Sequence, residues 1–327
     1  MRFPFLLFIP GSLAGYTIVC GDETGISKIE AAIQEAIKMA NNARDQIADL
    51  THDTTAAAFD PLFEAGDVGT LTTLYNSVVN IASNALQVTF YCEATHVDWS
   101  EPFRRWIDTA FTYTANDGST KSVSLYKVGQ DHSKKPGASG SSFTTVGYRN
   151  DLPNGDVADF SNQAHIMINK KRWDPPANDG LDHRPLDTVN QDGLLDGYTA
   201  LDQLKPLSET VFHEMMHAVG GTVAPNRGRA KINDDPIVPA VPGKIYGYKQ
   251  CVKVNQERHN LFDLLGGSPL RRAECPMMLA KALYLQIKGQ PTYWSTGDVD
   301  KDTLKPAGIP PPSGTTKLRR TGIMWYA

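Results

Sequence analysis

Five consecutive residues, His213-Glu214-Met215-Met216-His217, constrain this chain more than any other stretch. They lie in a run from Leu207 to Val219 whose apolar spacing predicts a helix, with Ser208 available as its cap and Gly220-Gly221 as its stop. On a helix, positions i and i+4 stand one above the other, so both imidazoles can reach one cation at about 2.0 to 2.1 Å. Glu214 then projects beside them, where it can take a proton from an attacking water and pass it to a leaving amine. With eight histidines in 327 residues, chance would produce this pattern in roughly one chain in a hundred, so two ordinary surface histidines are the poorer account.

Two histidines leave a catalytic zinc short of a ligand, because such sites take three protein ligands and keep one position open. A continuation HExxHxxGxxH would supply a third histidine, but Val223 stands at that position and cannot bind metal. A glutamate from a later helix is the next source, and Glu257 and Glu274 are available. The chain carries no Gly-x-Ser-x-Gly elbow and no phosphate-binding glycine loop. The aspartates Asp182, Asp187, Asp192 and Asp196 do not match the spacing of a calcium-binding EF-hand loop. His165, in the strand-like run Ala164 to Ile168, reads as a strand side chain near the cleft rather than a ligand.

Further along, Gly221-Thr222 follows the second histidine, then Asp234 and Asp235, then Tyr246-Gly247, then Arg272-Ala273-Glu274-Cys275 opening the run Leu279 to Leu285. In this order of motifs the chain resembles the aspzincins, secreted fungal metallopeptidases of the deuterolysin-like and lysine-specific types. The likeness is closest over residues 207 to 287 and looser elsewhere. It implies an α+β, zincin-like fold in which helices pack on a small twisted mixed sheet, with HExxH on the active-site helix and extended substrate bound at an edge strand. It implies Zn2+ held by His213, His217 and Asp234, with Asp235 as the alternative third ligand. Glu214 would be the general base, Tyr246 a hydrogen-bond donor to the oxyanion, and Glu274 the residue that orients a zinc histidine. One departure stands out: the family's Gly-Thr-x-x-Asp reads Gly221-Thr222-Val223-Ala224-Pro225 here, so an aspartate ligand must come from a longer loop. Asp234 and Asp235 would otherwise solvate a turn before Pro236. The expected activity is zinc-dependent hydrolysis of internal peptide bonds in protein or peptide substrates; the alternative is a secreted non-catalytic binding or effector protein on the same scaffold, its zinc site weakened.

The remaining sequence fits export. Arg2 precedes an apolar run from Phe3 to Leu13 with small residues at Ser12 and Ala14, so residues 1–14 read as a signal peptide. The run is too short to span a bilayer, and no later one reaches the roughly 18 residues required. A net charge of -4 with both signs interspersed offers no stripe for nucleic acid and no membrane anchor. Cys20, Cys92, Cys251 and Cys275 suit an oxidising compartment; four cysteines allow three connectivities, and pairing neighbours in sequence joins Cys20 to Cys92 and Cys251 to Cys275. Apolar spacing predicts long helices through Ile26 to Leu50 and Leu71 to Leu86, a helix over Pro276 to Ile287, and strands at Gln87 to Cys92 and Ala164 to Ile168. Residues 112 to 163 read as hairpins or a ragged insertion. The organisation expected is one catalytic domain over residues 15–290, monomeric, with a Pro/Gly-rich tail over 291–327 that packs as coil or frays.

Overall fold

The computed structural model describes residues 15–83, 85–122, 127–129, 131–147, 149–152, 155–177, 179–194, 199–223, 232, 246–258, 268–285, 317–320 and 323–326. The elements run β1 (Tyr16–Val19), α1 (Glu23–Ile47), α2 (Asp53–Phe59), α3 (Val68–Val79) and β2 (Gln87–Tyr91). An excursion of short strands follows: β3 (Val97–Ser100), β4 (Arg105–Asp108), β5 (Thr112–Thr114), β6 (Thr120–Ser122), β7 (Lys127–Gly129), β8 (Phe143–Val146), β9 (Arg149–Asp151) and β10 (Val157–Asp159). The chain returns through β11 (Gln163–Met167), α4 (Lys170–Trp173), α5 (Leu186–Asp192), α6 (Leu207–Val223), α7 (Tyr248–Glu257) and α8 (Glu274–Tyr284), and ends in β12 (Lys317–Arg320) and β13 (Ile323–Tyr326). The fold is α+β.

A four-stranded mixed sheet organises the rest, in the order β1-β2-β11-β8. β1 and β11 run parallel to β2 on either side, whereas β8 is antiparallel to β11 and closes one edge. Pleating sends alternate side chains to opposite faces. Val88 and Phe90 of β2 and Ala164 and Ile166 of β11 join the core shared with the helices. α1 begins at Asp22, whose side chain accepts from the Gly25 N–H at 2.7 Å. It buries a stripe of Ile29, Ile33, Ala36, Ala40 and Ala43 against α3, α6 and α8.

The helices differ from their sequence expectations at the ends. α1 stops at Ile47 and α3 at Val79, leaving Leu50, Ala82 and Leu86 in the turns that follow, and α8 starts two residues early, at Glu274. Gly220-Gly221 does not end α6, which continues to Val223. Ser208 lies inside that helix and donates to Glu35 Oε2 of α1, so it is not a cap. The tail is not all coil, since β12 and β13 pair antiparallel. Both disulfides join sequence neighbours, Cys20 to Cys92 and Cys251 to Cys275. Among the described residues no helix is long and apolar enough to cross a membrane. Residues 1–14 and most of the segment 291–327 lie outside the described residues.

The face of the sheet turned away from the helices carries Tyr91, Phe143, Thr145 and His165, and it is covered by the β3-β4-β7 sheet. The contact is polar. Asp108 of β4, fully buried, takes hydrogen bonds from the Ala110 N–H at 3.0 Å and from His165 Nδ1 at 2.8 Å. His96 stacks on Tyr91 with ring centroids 3.8 Å apart, and its Nε2 lies 3.7 Å from Asp108 Oδ2. Among the described residues neither ring nitrogen of His96 has a hydrogen-bond partner.

Burial, countered in part by the Asp108 carboxylate, pushes the His96 pKa down to about 4. The folded chain therefore binds this proton less readily than the unfolded chain, and acid favours unfolding. The contribution is complete above pH ~6.5 and drains away as the pH falls towards 4, a loss of roughly 3 kcal/mol by the linkage relation. Thermal unfolding followed from pH 7 to pH 4 should show this decline in the parent and a flatter profile in His96→Phe. Equal slopes would assign the acid sensitivity to another group.

Candidate functional site

α6 crosses the middle of the core, with Val211, Phe212, Met215, Met216, Ala218 and Val219 all buried. A helix that is apolar on nearly every side cannot leave its polar side chains to water, so each must find a partner in the protein. Glu209 pairs with Lys281 of α8 and, at 2.6 Å, with Lys205. Burial alone would raise its pKa, but the two ammonium groups outweigh that and hold it below the usual carboxylate range. Lys281, itself fully buried, also donates to the main-chain oxygens of Leu201 and Leu204. These bonds fix the N-terminal turn of α6 before the HExxH residues begin.

His213 and His217 then project from one face, one helical turn apart. Glu274, the first residue of α8, uses both carboxylate oxygens here: Oε2 accepts from His213 Nδ1 at 2.9 Å and Oε1 from the Gly247 N–H at 2.7 Å. His217 Nδ1 donates to the carbonyl of Ile232 at 2.7 Å. A carbonyl can only accept, so His217 carries its proton on Nδ1, and the carboxylate holds His213 in the same state. Each neutral ring then directs its Nε2 lone pair into one space, and the two Nε2 atoms are 3.2 Å apart. Two neutral rings held in this way present both Nε2 atoms as acceptors to that space. A tetrahedral ion about 2.0 to 2.1 Å from each nitrogen would hold them about 3.3 Å apart, so these two residues fit zinc.

Glu214 faces β8. Its Oε2 accepts from Thr144 Oγ1 at 2.7 Å, while among the described residues Oε1 makes no hydrogen bond. Tyr246 lies beside the pair, its ring centroid 5.8 Å from that of His213, and remains 48% exposed. Gly247 holds φ at +88°, a region closed to most side chains, and a Cβ there would sit 3.0 Å from Asp202 Oδ2. That conformation aims successive main-chain N–H groups in two directions, Gly247 at Glu274 and Tyr248 at Asp202 Oδ1. Cys251–Cys275 bridges α7 to α8 one residue after Glu274, so the segment bearing Tyr246 and the carboxylate that orients His213 are covalently tied.

The structure thus brings together His213, His217, Tyr246 and Glu274, while the Glu214 side chain leaves the same helix towards Thr144 of β8. Asp234 and Asp235, expected as the third ligand and its alternative, lie outside the described residues. Among the described residues no group of three or more His, Cys, Asp or Glu side chains converges as a metal-binding cluster. Glu257, a candidate from a later helix, closes α7. His165 belongs to the opposite face of the sheet, against Asp108 and Phe111. Thr144 and the Ile232 carbonyl escaped the sequence reading; the first is one hydroxyl in a Ser/Thr-rich stretch, and a main-chain oxygen has no sequence signature. Compared with known protein families, characterised proteins and solved structures, the chain has no match.

Gly220 explains how Ile232 reaches His217. A Cβ at position 220 would lie 2.5 Å from Ile232 Cδ1 and 2.9 Å from its Cβ, and the latter cannot be moved by a change of rotamer. In an unpacked helix Gly220→Ala would stabilise by about 1 kcal/mol. Here it should destabilise instead, because Ile232 fills the space that a Cβ would take. Thermal unfolding checks this; a more stable variant would remove the close-approach role of Gly220.

Proposed function

We propose that this chain is a secreted, zinc-dependent endopeptidase of the zincin type, close in its site residues to the aspzincins. The observation that carries the reading is the His213–His217 pair, with both Nδ1 atoms committed and both Nε2 atoms turned to one point 3.2 Å apart. Glu214, on the same helix, is held against strand β8 by Thr144. The third ligand assigned in this reading is Asp234, two positions after Ile232 in sequence, with Asp235 as the alternative. Two disulfides accord with an oxidising compartment.

Zinc, when bound, would polarise the substrate carbonyl and acidify the attacking water. The chain's own residues do the rest. Among the described residues β8 is an edge strand of the central sheet, so an extended peptide can add to it through main-chain hydrogen bonds with little regard to sequence. Glu214 Oε1 accepts a proton from the water as its oxygen attacks the carbonyl carbon, and returns that proton to the nitrogen as the C–N bond breaks. The Tyr246 hydroxyl donates to the oxyanion that forms between these steps. Glu274 and the Ile232 carbonyl keep the two imidazoles in the tautomer that presents Nε2.

Zinc per chain, measured by elemental mass spectrometry beside turnover of an unstructured protein, tests the reading. The parent should hold about one zinc and cleave. His217→Ala should lose the metal, Asp234→Ala should weaken its retention, and Glu214→Gln should keep it while losing turnover by ~10^2 to 10^4-fold. Retention in Asp234→Ala would shift the third ligand to Asp235 or a glutamate. A parent that takes no zinc after reconstitution, or a Glu214→Gln variant that cleaves at the parent rate, would leave the scaffold as a binding or effector protein.

A further inference from the structure

Thr144 sits in the middle of β8, directly across from Ile166 of β11 in the register of the sheet. Ile166 belongs to the face packed on the helices, so Thr144 points the same way, towards α6, while Phe143 and Thr145 turn to the opposite side. Its hydroxyl lies 2.7 Å from Glu214 Oε2 and 3.1 Å from the main-chain oxygen of the same residue. A hydroxyl has one proton to give, and the shorter, charged acceptor is the stronger one. Both acceptors belong to Glu214, so the contact registers the backbone of α6 and the end of its side chain together. The threonine itself is stiff at χ1, because its Cβ carries two heavy atoms.

We propose that Thr144 is a positioning residue for Glu214: it pins Oε2 and thereby turns Oε1 towards the space that the Nε2 atoms of His213 and His217 face. The inference rests on the reading of Glu214 as the general base. A glutamate left to itself has three rotatable side-chain bonds, and a catalytic group displaced by about 1 Å can lose ~10^2-fold in rate. Thr144 removes that freedom by tying the carboxylate to β8, the strand whose edge the peptide would pair with. The base and the substrate's docking strand therefore share one reference frame, and a shift of α6 relative to the sheet cannot separate them without breaking this bond. The residue touches neither substrate nor metal, so its effect falls on the chemical step and not on binding.

The test compares Thr144→Val, which keeps the shape and deletes the donor, with Thr144→Ser, which keeps the donor. In the zinc-loaded protein Thr144→Val should lower kcat by about 10 to 100-fold with KM within about twofold, and Thr144→Ser should recover most of that loss. A second readout needs no catalysis: in the metal-free protein, thermal midpoints are measured for Thr144→Val, Glu214→Met and the double variant. The midpoint should drop more on Thr144→Val in the parent background than in the Glu214→Met background, where only the longer bond to the main-chain oxygen of residue 214 is left to lose. Additive midpoints, or a Thr144→Val enzyme with the parent kcat, would overturn the positioning role alone. A zinc-loaded parent that cleaves nothing, with the coupling between the two residues intact, would instead overturn the peptidase reading on which the role depends.

Discussion

A helix buried on nearly every side must have all of its polar groups answered from within, and α6 is such a helix. Its partners come from different parts of the fold: Glu35 of α1 for Ser208, Lys281 of α8 for Glu209, Glu274 for His213, Thr144 of β8 for Glu214 and the Ile232 carbonyl for His217. Apolar packing sets depth and tolerates small rotations, since it has no preferred direction. Hydrogen bonds to four separate parts of the fold do not. They fix both the rotation of α6 about its axis and its position along it, and each leaves an unsatisfied buried group if the helix slips. The site is therefore as well placed as the core is closed, and the elements that appear unrelated to chemistry, such as α1 and α8, share in holding it.

The same bonds settle where the protons are. An imidazole with its Nδ1–H given to a carboxylate or a carbonyl must offer a lone pair at Nε2 as long as it stays neutral. In that state the two Nε2 atoms, 3.2 Å apart, face one common space. Glu274 contributes twice, because its second oxygen holds the Gly247 N–H and so sets the segment that carries Tyr246. One carboxylate thus links the orientation of the His213 ring to the placement of the segment that carries Tyr246, and a glutamate is long enough to span both partners.

Much of this was legible in advance, and the parts that were not have identifiable causes. HExxH, the amphipathic run of α1 and the strands β2 and β11 are local signals, and they fold as their spacing predicts. Gly220-Gly221 was misleading because a glycine inside a helix is unfavourable only when nothing exploits the missing side chain; here Ile232 occupies that space. Ser208 has the identity of a helix cap, yet the helix starts one residue earlier and Glu35 claims the hydroxyl. Thr144 and Glu214 are 70 residues apart, and His96, Asp108 and His165 meet only when the β3-β4-β7 sheet closes over the central one. Such pairings follow from register and topology, which a single sequence does not display.

The two histidine clusters sit on opposite faces of the same sheet and share no residue. His96 stays neutral because burial makes its charged form expensive, and its nearest anion, Asp108, is already engaged by Ala110 and His165. His213 and His217 are organised instead to offer lone pairs to a common point. Protonation of His96 therefore opposes the packing of one sheet on the other without touching the α6 pair, which lies on the opposite side of the central sheet and shares none of its partners.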